Sequence, residues 1–120
     1  MYRIDFYKDE KGKSELLDFI DSLRIRSGNN KDARIQYEQI FSQINLLMEH
    51  GTNLPANITK HIDEDIWELR PGHNRVLYFC YIDDMFVLLH HFRKKTDKTP
   101  RREIERAKAE RDEYVRRSKQ

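Results

Sequence analysis

The chain has 120 residues, 38% of them hydrophobic and 37% charged, with 23 Lys and Arg against 21 Asp and Glu. That length suits one core, and six Phe, six Tyr and one Trp exclude wholesale disorder. The single cysteine, Cys80, excludes an intrachain disulfide and a cysteine-based metal site, and no apolar run approaches a membrane span. The expectation is one domain over residues 1–120, with no membrane association. The lone thiol fits a reducing compartment, and the charged start "MYRIDFYKDE" is unlike a signal peptide, so the expected setting is cytoplasmic.

The near-neutral total hides an asymmetry. Residues 1–89 carry 11 Lys and Arg against 15 Asp and Glu, whereas residues 90–120 carry 12 against 6. A basic C-terminal quarter points to a nucleic acid, another anion, or a partner protein with an acidic segment.

In chain order, "YRIDFY" (Tyr2–Tyr7) alternates and is rich in β-formers, which predicts a first strand ending in a turn near Gly12. Ser14 is placed to cap a helix with Glu15 in its first turn, and Leu16, Leu17, Phe19, Ile20 and Leu23 form its apolar stripe. A second helix is predicted from about Asp32 to His50, on Ile40, Phe41, Ile44, Leu47 and Met48, with Gly51 just past its end. "GTNLPANIT" reads as a loop. Three strands follow in "DIWELR" (Asp65–Arg70), "RVLYFCYI" (Arg75–Ile82) and "MFVLLHHF" (Met85–Phe92). Short turns at Pro71–Asn74 and Asp83–Asp84 make them an antiparallel meander. A last helix is predicted with Thr99 as cap and Pro100 as first residue. Its apolar content is thin (Ile104, Ala107, Tyr114, Val115), so it docks lightly or extends into solvent. The i,i+4 pairs Arg106/Glu110, Lys108/Asp112 and Asp112/Arg116 support it. The order β-α-α-β-β-β-α predicts an α+β fold. Its twisted four-stranded antiparallel sheet carries two N-terminal helices on one face and leaves the other open.

Alternation sets Trp67 and Leu69 against the helices and turns Glu68 and Arg70 to the open face. Arg75, across the hairpin, falls near Arg70. Like charges oppose one another there, and either an anion between them or an ion pair of Arg75 with Glu68 or Asp63 resolves the conflict. Tyr78 and Tyr81 lie on opposite faces of one strand, one in the core and the other able to stack on a base. His90 and His91 also alternate, and one of them can titrate on the open face. No metal-site spacing appears among the histidines. "HHFRKKTDKTPRR" (His90–Arg102) then gathers Arg93, Lys94, Lys95, Lys98, Arg101 and Arg102 at a strand end and a helix start, where backbone N–H groups attract anions.

Taken together, "DIWELRPGHNRVLYFCY" and "VLLHHFRKKTDKTPRREIERAKAERDEY" resemble the phage-derived, HigB-type branch of the RelE/ParE toxin superfamily. The resemblance covers Ile66 to about Tyr114, and the first half of the chain agrees in element order only. It implies a RelE-like fold and the toxin of a type II toxin-antitoxin system. The implied activity is that of a metal-independent endoribonuclease cutting mRNA on the ribosome, with no cofactor and no metal. It further implies a helix-turn-helix (HigA-like) antitoxin, and promoter DNA bound through the toxin-antitoxin complex. Carried over by position, Arg70 and Arg75 hold the scissile phosphate with Lys94 and Lys95. His91 or Glu68 carries protons, and Arg93, Lys98, Arg101 and Arg102 bind RNA. Tyr114 lies well into the last helix, away from the terminal tyrosine some members use. The alternatives are a gyrase-binding toxin of the same superfamily and a non-catalytic nucleic-acid-binding regulator.

Overall fold

A computed structural model describes all 120 residues. The elements run β1 (Arg3–Phe6), α1 (Glu15–Arg26), α2 (Lys31–His50), β2 (Thr59–Asp63), β3 (Ile66–Leu69), β4 (Asn74–Ile82), β5 (Met85–Arg93) and α3 (Arg101–Ser118). The class is mixed α+β, with five strands rather than four. The added strand, β2, follows the expected loop. It is short, its central residues are exposed, and its pairing with β3 comes from tertiary context rather than local pattern.

The sheet order is β1-β5-β4-β3-β2. β2 to β5 form the antiparallel meander, but β1 pairs parallel with β5, from Arg3↔Met85 to Phe6↔Leu88, so the sheet is mixed. A parallel neighbour needs a long crossover, and here the α1–α2 hairpin and the rest of the sheet provide it.

Both N-terminal helices start where their caps put them. Ser14 Oγ accepts from the Leu17 N–H at 3.1 Å and Asn30 Oδ1 accepts from the Ala33 N–H at 2.9 Å. Gly51 ends α2 with φ 60°, a left-handed value that glycine adopts freely. Leu16 and Leu47 then pack on one face of the sheet against Leu69, Val76, Tyr78, Phe86 and Leu88. Each such fully buried side chain contributes about 1.5–3 kcal/mol.

The other face is not open. Alternation turns Ile66, Leu77, Phe79, Val87 and Leu89 toward α3, which covers them with Ala107, Tyr114 and Val115. Tyr81 lies under this helix against Tyr114 and Phe79, not in position to stack on a base. A helix poor in apolar residues holds this place because Ala107 permits close approach and because charges grip it from the side. At the end of β2, Asp63 binds Arg101 at 3.0 Å and Lys108 at 2.9 Å, and in the β2–β3 turn Glu64 binds Lys108 and Arg111, and Asp65 binds Arg111. Glu64 itself sits at φ 50°, and His61 Nε2 lies 2.5 Å from its carbonyl. Of the three expected i,i+4 pairs, Arg106–Glu110 forms, at 3.2 Å. Lys108 turns instead to the β2–β3 turn, and Asp112 meets Arg111.

Candidate anion site at one end of the sheet

Antiparallel pairing brings the start of β2, the end of β3, the start of β4 and the end of β5 to the same end of the sheet. The segment 94–100 and the start of α3 follow directly from β5. The cationic residues singled out in the sequence are thereby drawn from separate strands to one place.

Glu68 is its centre. The residue is 1% exposed and faces α3. Arg70 Nε donates to its Oε2 at 3.1 Å, Arg75 Nε lies 4.0 Å from the same oxygen, and the Thr99 hydroxyl donates to Oε1 at 2.8 Å. The anion between the two arginines is thus a carboxylate of the chain itself. Thr99 gives its hydroxyl to this carboxylate, which is why it does not cap α3. Pro100 stands at the cap, with no side-chain hydrogen bond.

Backbone contacts fix both arginines. Gln43 of α2 receives the Arg70 N–H at 3.0 Å and donates to its carbonyl at 3.1 Å. Arg75 Nη1 donates to the carbonyls of Gly72 and Asn74 at 2.9 and 2.8 Å. Burial lowers the Arg75 guanidinium from its usual value. Glu68 opposes this, Arg70 adds to it and Asp97 opposes it.

The other predicted residues divide. Lys94 is half-buried and pairs with Asp97 at 3.1 Å, while its backbone N–H donates to His73 at 2.8 Å. Lys95 and Lys98 are exposed. Arg101 is held by Asp63 and by Glu105 at 2.9 Å, and Arg102 stays exposed, 3.7 Å from Glu103. Arg93 leaves the group, reaching Gln36 of α2 at 3.4 Å on the opposite face. His91 also faces the N-terminal helices. It stacks on Phe19 with ring centres 4.2 Å apart, and burial, then His90, lowers its pKa. His90 is buried under α3, with Nδ1 2.6 Å from Glu110 and Nε2 3.0 Å from Glu103. Its two nitrogens thus point at different carboxylates, and no three His, Cys, Asp or Glu side chains gather as metal ligands would. No helix is long and apolar enough to cross a membrane.

A cleft of about 180 Å³ opens beside Glu68, lined by Lys60, Arg70, Asp97, Lys98, Thr99 and Ile104 among others. Lys60 went unnoticed in the sequence because β2 did. "TKHID" carries no regular alternation, so no local signal marked it.

A five-stranded sheet is thus clad on both faces, and at one end Arg70 and Arg75 gather on Glu68 beside the cleft lined by Lys60 and Lys98. Residues 26–112 match the family model described as phage derived protein Gp49-like (DUF891), and the chain belongs to that family. The match spans every residue of the cationic end. Membership in this phage-derived family is compatible with the toxin of a toxin-antitoxin pair. No curated protein matches the sequence.

Proposed function

We propose that the protein is the toxin of a type II toxin-antitoxin system, of RelE-like, HigB type. In this reading it inhibits translation in the cytoplasm by cutting mRNA on the ribosome, without a metal. The observation that carries the reading is the convergence of Arg70, just past β3, and Arg75 of β4 on one end of the sheet, the end that Lys94 and Lys95 follow directly from β5. Planar guanidinium groups match phosphate oxygens in pairs. Attack of a 2′-OH on the adjacent phosphate builds negative charge on its oxygens, which cations held in advance stabilise. The 2′-oxygen forms a bond to phosphorus as the 5′-oxygen leaves. One proton departs from the nucleophile and one reaches the leaving group.

Within this reading Glu68 holds the arginines in place. Both of its oxygens are engaged and it is too buried to touch a 2′-OH. His91, stacked on Phe19 on the far face, stands outside the chemistry. A helix-turn-helix antitoxin would neutralise the toxin, and the pair would bind its promoter.

A second reading is favoured by Glu68 itself. Arginines already neutralised by a carboxylate need no phosphate, as suits a gyrase-binding inhibitor or a non-catalytic regulator. Primer extension on a reporter message after a short pulse of expression separates the two. Discrete cuts in the translated region with wild type, lost in the folded Arg75→Ala, Lys94→Ala double variant, are expected. Arrested growth with intact message would overturn the cleavage reading.

A further inference from the structure

The last helix carries seven of the 23 Lys and Arg residues, but the contacts assign the cations unequal freedom. Arg101, Arg106, Lys108 and Arg111 are engaged by carboxylates of the β2–β3 corner, α1 or α3 itself. At the same end of the sheet Lys60 and Lys98 have no ion-pair partner and stand on the cleft beside Glu68. Register sets Lys60 directly opposite Glu68, so its side chain leaves the sheet on the face that carries Arg70. Three cations, Arg75, Arg70 and Lys60, therefore lie on one face across the adjacent strands β4, β3 and β2. Lys98 and Thr99 line the same cleft as Lys60 and Arg70. β2 is the last strand of the sheet, so this row runs out to an open edge.

We infer that the cleft is a second phosphate subsite, and that a single-stranded RNA crosses the sheet end from the arginine pair to Lys60 and Lys98, not along α3. The inference rests on the reading of the arginine pair as a site for RNA. Arg75 and Lys60 are two strand spacings and two residues apart, roughly 12 Å, a separation that suits neighbouring phosphates of one strand better than a single phosphate. Lysine serves such a place as a mobile point charge, which needs no fixed geometry and accepts any base. The exposed edge lets the chain of nucleotides enter and leave, which a closed pocket for a lone anion would not allow.

The test uses the full chain and a short 2′-O-methyl RNA, which lacks the attacking hydroxyl and stays intact. Binding is followed by fluorescence anisotropy over a salt series, for wild type, Lys60→Ala, Lys98→Ala and a control, Lys11→Ala. Lys11 lies in the turn after β1, at the far edge of the sheet. Lys60→Ala and Lys98→Ala should each weaken binding about 5–10-fold at moderate salt and flatten the slope of log K against log salt by about 0.7. Lys11→Ala should do neither. Since Lys60 and Lys98 are exposed, unchanged melting temperatures are expected and are checked alongside. Affinities and slopes equal to the control would overturn the inference, as would a wild type that does not bind this RNA. Inorganic phosphate competing as well as RNA at equal phosphate concentration would mark a lone-anion site and also overturn it. Lys60-dependent binding by a protein that leaves cellular messages intact would remove the cleavage reading and keep the path.

Discussion

Replacing Glu68 by alanine tests the physical centre of the site. The carboxylate accepts from Arg70 and Thr99 and stands 4.0 Å from Arg75. Removing it strands two guanidinium groups that repel one another and leaves the Thr99 hydroxyl without its acceptor. Breaking a fully buried pair costs about 3–5 kcal/mol. Here the Arg70 side chain keeps 21% of its exposure and Arg75 11%, so water recovers part of that loss. The expected destabilisation is roughly 2–4 kcal/mol, which in a chain of this size lowers the melting temperature by roughly 8–15 °C. Glu68→Gln, which keeps the shape and one acceptor oxygen, should lose less. Calorimetry in chloride and in millimolar sulfate at matched ionic strength adds a second readout. An anion that fills the gap between the arginines should raise the melting temperature of Glu68→Ala by more than that of wild type. A Glu68→Ala protein within 1 kcal/mol of wild type, with no preference for sulfate, would refute the reasoning.

Other expectations concern the packing around the site. Tyr78→Phe removes the buried 2.6 Å bond to the Thr59 hydroxyl and should cost about 1–2 kcal/mol by denaturant titration. Burial also pushes the Tyr78 phenol up to about 12 from 10.0, so between those pH values the unfolded chain loses a proton that the folded chain keeps. Stability should therefore fall as pH rises through this window, by roughly 2–3 kcal/mol for this group, and Tyr78→Phe should shrink the fall. His91 is shifted the other way, chiefly by burial, so the unfolded state takes its proton first on acidification. Stability should drop as pH falls below the ordinary histidine value of 6.5, and His91→Phe, which retains the stack on Phe19, should lessen that drop in an acid titration followed by circular dichroism. Asp63→Asn loosens two contacts to α3, so amides of that helix should exchange faster with deuterium while those of α2 keep their rate.

Much of this was legible from residue types and spacing. Ser14 capped its helix, and alternation correctly set Trp67 and Leu69 against Glu68 and Arg70, because caps and strand faces are decided by neighbours in sequence. The partnership of Arg70 and Arg75 followed from the hairpin, although the anion between them proved to be Glu68. What escaped had long-range causes. β2 lacks a strong pattern of its own and exists because β3 offers it an edge. α3 looked too polar to cover a sheet, since its grip comes from Asp63, Glu64 and Asp65 at the β2–β3 corner, far away in the chain. His90 and His91 were indistinguishable by type, and only the identity of the two layers decides that one meets carboxylates and the other a phenyl ring.

The parallel seat of β1 beside β5 has a consequence for the order of assembly. The α1–α2 hairpin and the β2–β5 meander close over short stretches of chain, whereas β1 is joined to partners such as Asp84, 81 residues away. Closing so long a loop loses chain entropy before its contacts repay any of it. β1 therefore docks late, onto a sheet already formed, and its four residues contribute little to the folding transition state. Substitutions such as Ile4→Ala should leave the folding rate nearly unchanged and accelerate unfolding. The strand works as a closing bolt, setting how long the native state survives rather than how quickly it is reached.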